Sequence, residues 1–228
     1  MRLRAGHWLA IAGAALLAWL ALAYGVAPQA WRDIAARDPA LDALPGITTG
    51  GDGLPGDPVN LMLEGDAQAL RRAMTRAGWS VADPLDLRDD ARIALDTLAD
   101  RAYPDAPVSA LYLYGRVEDI AFEMPLGSSP RQRHHVRFWR MPGARAPRWA
   151  GAATLDRSVG LAVATGQVTH HIAADIDSER DHVLASLQAR GLLARRWYVP
   201  GFHAVQAGRN AGGDPWRTDG RLGAARLR

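Results

Sequence analysis

Two pairs of adjacent histidines are the residues of this chain whose type and spacing are most suited to chemistry. They are His134-His135 and His170-His171. Each pair lies in a segment with the composition of a β-strand, residues 131–140 and 165–177. Imidazole side chains titrate near neutral pH, bind metal ions and transfer protons. Two such pairs on neighbouring strands therefore indicate a functional site.

The alternation of side chains along a strand divides each pair between two faces. It places His134 and His170 among apolar neighbours, and it places His135 and His171 on polar faces. We therefore expect His135 and His171 to share one site, with Asp156 of the intervening strand as their acidic partner. These three are the candidate catalytic residues. The candidate ligand-binding residues are Arg133, Arg137, His134, His170 and Thr169, and Thr154 is a further polar group of the intervening strand.

The predicted polar face is compatible with two chemistries. Two histidines and a carboxylate could hold a divalent metal ion, although no HExxH motif or other established ligand spacing identifies a metal. Alternatively, a histidine paired with an acid could transfer a proton while the arginines bind a phosphate or carboxylate group. A structural role stays open as well, because histidines on apolar faces also occur as core residues and an arginine-rich strand also fits a solvated face.

The composition excludes several classes of site and partner. The 228 residues are enough for one domain of ordinary size with a small appendage. The absence of cysteine excludes disulfides, thiolate zinc sites and cysteine nucleophiles. The formal net charge is only +3, and acidic residues are mixed with the basic ones along the chain. Since neither a basic stripe nor a nucleic-acid-binding motif is evident, we expect no nucleic-acid partner.

The amino terminus has the pattern of a membrane anchor. Arg2 and Arg4 precede the apolar run Trp8–Ala27, which is about the length that a helix needs to cross a bilayer. The positive flank predicts that the amino terminus stays in the cytoplasm and that the rest of the chain lies outside it. A cleaved signal peptide is the alternative, because Ala21–Ala23 resembles a cleavage site. The length of the apolar run favours the retained anchor.

The turn residues of Gly46–Pro58 indicate a boundary. We therefore divide the chain into an anchor at residues 1–30, a linker at 31–56 and a folded domain at 57–228. Helices are predicted from Asp66 to about Ala77, over Asp86–Arg101 and from Ser178 to about Arg190. Strands are predicted over Val59–Leu63, Ser109–Tyr114, Asp119–Met124, Arg131–Met141, Arg148–Leu155, Gln167–Ala173, Arg195–Val199 and Arg221–Leu227. This order predicts an α+β fold, a mostly antiparallel sheet with about three helices, preceded by one transmembrane helix.

Several ordered runs of the sequence resemble the LssY C-terminal domain family. They are GDGLPGDPVNL (51–61), AGWSVADPLDL (77–87), YPDAPVSALYLYGR (103–116), RQRHHVRFWR (131–140), GAATLDRSVGL (151–161), TGQVTHHI (165–172) and GGDPWRTDGRL (212–222). The resemblance implies a protein encoded with a bacterial type I secretion system. It also implies relatives that carry membrane helices, some of them fused to a lipid-phosphatase-like membrane domain. It implies no catalytic mechanism, and this chain has one short apolar helix in place of the phosphatase-like domain.

The leading functional hypothesis is therefore a single-pass protein of the bacterial inner membrane with its domain in the periplasm. That domain would serve an envelope or secretion process by binding a small or lipid-linked anionic ligand at the histidine–arginine face. The inner membrane and envelope or secretion-system proteins are the expected partners. The alternative is a phosphoester hydrolase in which His135 or His171 is the general acid or base, Asp156 orients it, and Arg133 and Arg137 hold the anion. A third reading is a purely structural assembly module.

Overall fold

A computed structural model of the chain describes residues 3–30, 38–82, 110–127, 132–164, 166 and 168–228. The chain divides into two compact units, Met1–Ala43 and Leu44–Arg228. The helix predicted over Asp86–Arg101 lies outside the described residues.

The first unit contains a long apolar helix. Helix α1 spans Leu3–Ala21 and continues through a π-helical turn at Leu22–Val26. The segment Ala10–Ala30 has a mean hydropathy of 2.0 and is long enough to cross a membrane. This finding confirms the N-terminal apolar helix that the sequence predicts. A short helix α2 follows at Pro39–Asp42.

The second unit carries the remaining helices and all the described strands. Its helices are α3 (Ala67–Arg76) and α4 (Ile176–Ala189). Its strands are β1 (Ile47–Gly50), β2 (Pro55–Pro58), β3 (Leu61–Glu64), β4 (Ser80–Val81), β5 (Leu111–Leu113), β6 (Arg116–Val117), β7 (Ile120–Pro125), β8 (Arg133–Arg140), β9 (Arg148–Leu161), β10 (Val168–Ile172), β11 (Leu193–Val199), β12 (Ala207–Arg209), β13 (Pro215–Arg217) and β14 (Leu222–Leu227).

One large sheet forms the frame of this unit. Its strand order is β11-β14-β3-β9-β8-β7-β4, and β10 pairs with β9 outside this path. The β14–β3 pair is parallel, whereas the other pairs of this sheet are antiparallel. A smaller sheet has the order β2-β1-β5-β6, and β12 pairs with β13. The predicted α+β fold with a mostly antiparallel sheet is thus confirmed.

The core lies where helices α3 and α4 pack on one face of the large sheet. The Asp66 side chain accepts a hydrogen bond from the Ala69 backbone at 2.7 Å, which starts α3 at the residue that the sequence indicates. Buried apolar residues then fill the space between the helices and the strands. They include Leu70, Met74, Val183, Leu184 and Leu187 from the helices, and Leu61, Leu63, Phe122, Val136 and Phe138 from the strands.

Buried Asn60 fixes the position of β9, the strand that carries Asp156. Its side chain accepts a hydrogen bond from the Ala153 backbone N–H and donates to the carbonyl oxygens of Ala153 and Ile176, each at 2.9 Å. The first turn of α4 is therefore tied to the centre of the large sheet. A side chain that meets all these buried backbone groups stabilises the frame on which the site is built.

Two elements differ from the sequence-based expectation. The stretch Gly46–Pro58, predicted as a boundary, contains strands β1 and β2, because Gly50 pairs with Leu111 far along the chain. Such long-range pairing leaves no local signal. Helix α4 begins at Ile176 rather than at Ser178, since the Asp175 carboxylate caps it by accepting from the Ser178 backbone at 3.2 Å.

Candidate functional site

A cleft of about 500 Å³ opens between the large sheet and the smaller sheet β2-β1-β5-β6. Strands β8, β9 and β10 form one wall, and β1, β2 and β5 contribute to the other. Polar side chains line it at Asp52, Asp57, Arg137, Asp156, Thr169, His170 and Asn210. A concave pocket with converging polar groups is the default location for a ligand. We refer to it below as the cleft.

Strand β8 places the first histidine pair on opposite faces of the large sheet. His134 stands opposite Leu155 of β9, and His135 stands opposite Thr154. His134 lies on the helical side, where it contacts Glu179 of α4, whereas His135 shares its face with Arg133. Both histidines are buried.

The second histidine pair differs from the expectation that His171 joins His135. Strand β10 pairs with β9, but the register shifts between His171 and Ile172, so that Ile172 stands opposite Asp156. The extra residue is Arg157 of β9, so the face of β10 that carries His170 and Ile172 continues the face of Asp156. His170 therefore lies on the cleft side, where its Nε2 is 3.3 Å from Arg133 Nη2.

His171 instead holds the end of β10 in place through contacts with Asp214. Its Nδ1 lies 2.7 Å from Asp214 Oδ1, and the other oxygen of that carboxylate accepts from the Ile172 backbone at 3.2 Å. Gly160 makes room for the ring, because a Cβ at this position would come within 2.5 Å of His171 Nε2. These contacts fasten β10 to the loop that precedes β13, so this histidine has a positioning role in the structure.

Arg133 joins three groups at the edge of the cleft. It donates to Glu123 Oε2 at 2.9 Å, to Asp156 Oδ2 at 3.4 Å and to His170 Nε2 at 3.3 Å. Because a guanidinium only donates, Nε2 of His170 accepts, and the proton of the neutral ring lies on Nδ1. That Nδ1 is buried and has no hydrogen-bond partner among the described residues.

Arg137 is a buried guanidinium of the cleft wall that is held only loosely. Its Nη1 lies 3.4 Å from Asp57 Oδ2, and its Nε lies 3.5 Å from Glu118 Oε1. Charge-assisted hydrogen bonds are usually about 2.7–2.9 Å long. In the part of the chain that the structure describes, Nε makes no hydrogen bond. Arg137 can therefore form stronger bonds with an incoming oxygen ligand than those it makes here.

Both histidines of this face are kept neutral. Burial first, and then the charges of Arg133 and Arg137, lower the pKa of His170 to about 3. The pKa of His135 also lies well below its usual range, through burial first and then through the same two arginines. A neutral imidazole can accept or donate a hydrogen bond, but neither ring holds the extra proton of a general acid at pH 7.

The pKa values of two carboxylates in the cleft are raised rather than lowered. Burial raises the pKa of Asp156 to about 7, against the attraction of Arg137 and Arg133. Burial also raises the pKa of Asp57, and Arg137 and a hydrogen bond from Asn210 oppose it. Asp156 can therefore bind or release a proton near neutral pH, which is the property that a general acid or base needs.

Asp57 and Asn210 are cleft residues that the sequence analysis missed. Asp57 lies in the Gly46–Pro58 stretch, and its partner Arg137 is eighty positions further along the chain. Asn210 lies in a turn and donates to Asp57 Oδ1 at 3.3 Å. No local pattern brings these residues together. The predicted residues Arg133, Arg137, Thr169, His170 and Asp156 all lie in or beside the cleft.

His134 belongs to a separate group on the helical face. Its Nδ1 lies 2.8 and 3.0 Å from the two carboxylate oxygens of Glu179, and its ring stacks on His182 with centroids 3.9 Å apart. Within the described ranges, this is the group of three histidine or acidic side chains whose ligand atoms converge within 4.8 Å. The spacing Glu179-x-x-His182 was a usable signal, since positions i and i+3 share a helix face.

The family model described as LssY C-terminus matches residues 41–222 of this chain. The matched span includes the whole cleft and the group around His134. Comparisons with curated proteins and with solved structures gave no match.

Proposed function

We propose that this chain, which belongs to the LssY C-terminal family over residues 41–222, binds an anionic ligand in the cleft. The ligand carries a phosphate or carboxylate group on a small or lipid-linked molecule. The apolar N-terminal helix supports a membrane-anchored protein.

The observation that carries the proposal is the set of under-used donors in the cleft wall. Arg137 is 3 % exposed, yet its contacts to Asp57 and Glu118 are 3.4 and 3.5 Å long. The buried Nδ1–H of His170 has no acceptor among the described residues. Buried donors without partners are costly, whereas an oxygen-rich anion satisfies them together.

Proton uptake accompanies the anion. Asp57 and Asp156 line the same cleft, and as carboxylates they repel a second negative charge. Since the pKa of Asp156 is about 7, it can be neutralised by one proton near physiological pH. When Asp156 is protonated, it competes less with the incoming anion for Arg137, and its O–H becomes a hydrogen-bond donor. The cleft is therefore matched to an anion that arrives together with a proton.

The charge pattern of the amino terminus supports a periplasmic domain. Arg2 and Arg4 precede the apolar helix, an arrangement that favours a cytoplasmic amino terminus. We propose accordingly that the domain acts in the bacterial envelope, where a role accessory to secretion is the expectation drawn from the family. Reporter fusions after Arg228 check the orientation: alkaline phosphatase activity is expected, and fluorescence from a reporter that matures only in the cytoplasm contradicts it.

Titration of the full-length protein in detergent with sulfate tests anion binding. Sulfate has a fixed charge over the pH range, so any pH dependence belongs to the protein. His170→Leu removes the Nδ1 donor and is expected to weaken binding about 10- to 100-fold. Arg137→Gln is expected to weaken it at least as much. Above pH 7 the affinity of the wild type is expected to fall about tenfold per pH unit, because one proton must be taken up.

Arg226→Gln is the matched control. Arg226 is an exposed arginine of β14 that pairs with Glu64, and it does not line the cleft. Its replacement is expected to leave sulfate binding unchanged. Equal affinity in wild type, His170→Leu and Arg137→Gln, with all three retaining near-UV circular dichroism, contradicts the proposal. An affinity that rises with pH contradicts the proton uptake.

A phosphoester hydrolase is the second candidate, and the protonation of Asp156 favours it. Water would attack phosphorus, the P–O ester bond would break, and the Asp156 proton would pass to the leaving oxygen. His135 is less suited to this step than the sequence suggests, since its pKa lies well below neutral. Phenyl phosphate, added in the same titrations, distinguishes the two functions. Phenol release that is lost in Asp156→Asn supports the hydrolase, and binding without release supports the binding protein.

A further inference from the structure

The second histidine cluster lies on the face of the large sheet opposite the cleft. Strand β8 supplies His134, and helix α4 supplies Glu179 and His182 at positions i and i+3. The helix packs on the sheet at this point, so the three side chains meet in the layer between them. They are independent of the anion site, because neighbouring residues of a strand point to opposite faces.

The cluster is built from metal-ligand groups that their own contacts leave incompletely satisfied. Glu179 is 3 % exposed, and both its carboxylate oxygens contact His134 Nδ1. His182 stacks on the His134 ring at an interplanar angle of 10°, yet its buried Nε2 has no hydrogen-bond partner among the described residues. A purely structural stack of two rings would not need an unpartnered ring nitrogen next to a buried carboxylate.

Trp79 shields the cluster on one side. Its ring makes edge contacts with His134 and His182 at centroid distances of 6.2 and 6.0 Å, and its Nε1 donates to Ser186 Oγ at 3.0 Å. The indole is therefore anchored by α4 and walls off the two imidazoles. An apolar wall around a ligand set restricts solvent access and strengthens the electrostatic part of metal binding.

We propose that His134, Glu179 and His182 bind a divalent transition metal ion, of which Zn²⁺ is the representative. Two imidazoles and one carboxylate are a ligand set that zinc uses in proteins, with a fourth position left for water. One potential ligand atom from each residue lies within 4.8 Å of the others. On a tetrahedral zinc ion such atoms lie about 3.3 Å apart, so small side-chain rotations close the site.

The bound ion would act as a clamp between helix and sheet. Coordination replaces the hydrogen bond between His134 and Glu179, and it brings a ring nitrogen of His182 into the same centre. The three ligands come from α4 and β8, so the ion links these elements directly. Metal binding to the folded state alone raises the stability of that state.

Metal analysis of the full-length protein in detergent tests the site. After loading with Zn²⁺ and dialysis, the wild type is expected to retain one ion per chain. Saturating Zn²⁺ at about 100 times the dissociation constant is expected to raise the melting temperature by about 5–10 °C over the EDTA-treated protein. Glu179→Gln and His182→Gln are each expected to weaken Zn²⁺ binding about 100-fold or more. Mg²⁺ and Ca²⁺, which prefer oxygen ligands, are expected to give no such shift.

Two comparisons make the result decisive. Glu179→Gln keeps an oxygen that accepts from His134 Nδ1, so its melting temperature in EDTA reports whether the fold is intact without metal. A His135→Gln, His170→Gln double variant, on the cleft face, is expected to retain Zn²⁺. Zinc that is lost from this double variant but kept by Glu179→Gln and His182→Gln overturns the assignment. Absence of Zn²⁺ binding in the folded wild type overturns it as well and leaves the cluster a structural hydrogen-bonded group.

Discussion

Replacing Arg180 with leucine is expected to lower the free energy of unfolding by about 3–5 kcal/mol, because it removes a buried cation from paired anions. The Arg180 side chain is 1 % exposed although it lies on α4 between charged loops. It donates to Asp177 at 2.9 Å, to Asp181 at 3.0 Å, to Asp219 at 2.9 Å and to the Arg221 carbonyl at 3.0 Å. The guanidinium thereby joins the helix to the segment that leads into β14.

The carboxylates around Arg180 depend on it. Burial alone would raise the pKa of Asp219, but hydrogen bonds from Arg180 and Arg221 hold it well below its usual range. The stability that this carboxylate contributes is present above its unfolded pKa near 3.8, and it is lost as the pH falls through the folded value. The difference between wild type and Arg180→Leu should therefore shrink in strong acid.

Urea unfolding of the full-length protein in detergent, followed by near-UV circular dichroism, measures this effect. Arg180→Lys keeps the charge but loses the planar fork, and it is expected to recover part of the loss. Arg196→Gln is the matched control. Arg196 also contacts Asp181, but its side chain is 26 % exposed, so the expected change is below about 1 kcal/mol. A loss for Arg180→Leu no larger than that of the control would contradict the central role of this residue.

The sequence predicts those parts of the fold that local patterns encode. The apolar helix at the amino terminus, the cap of α3 at Asp66 and the run of antiparallel strands each follow from spacing or residue type within a few positions. The composition of the segment rich in histidine and arginine likewise predicts strand β8. For these elements the local propensity and the tertiary structure agree, as they do in most of a natural sequence.

The cleft is harder to predict because long-range pairing assembles it. Asp57 and Arg137 are eighty positions apart and belong to different sheets, and β1, beside β2, pairs with β5 about sixty residues further along the chain. His170 rather than His171 lies in the cleft because of one bulge. The alternation of polar and apolar residues in a sequence does not reveal the extra residue of a bulge. Sequence reasoning therefore identified the strands that carry the cleft, but not which of their side chains meet.

Replacing Asp156 with asparagine is expected to stabilise the domain above pH 7, by up to about 4 kcal/mol, and to leave its stability at pH 4 nearly unchanged. The folded pKa of Asp156 is about 7, and the usual value is 3.8. Between these values the folded state binds the proton more tightly than the unfolded state, so the stability of the wild type falls as the pH rises from 4 to 7. Asparagine is always neutral and removes this loss. Arg133 keeps a partner in Glu123 at 2.9 Å.

Urea unfolding at pH 4, 6 and 8 measures the difference, with Asp42→Asn, the replacement of an exposed aspartate of α2, as the matched control. A variant that is less stable than the wild type at pH 8 would mean that ionised Asp156 is stabilised by its arginines after all. Sulfate binding supplies an independent check on the same residue. If Asp156 is the group that takes up the proton, Asp156→Asn should bind sulfate more tightly at pH 8 and should lose the pH dependence. A buried acid that lowers stability and is kept in a cleft is best explained by a function, because asparagine would fold better.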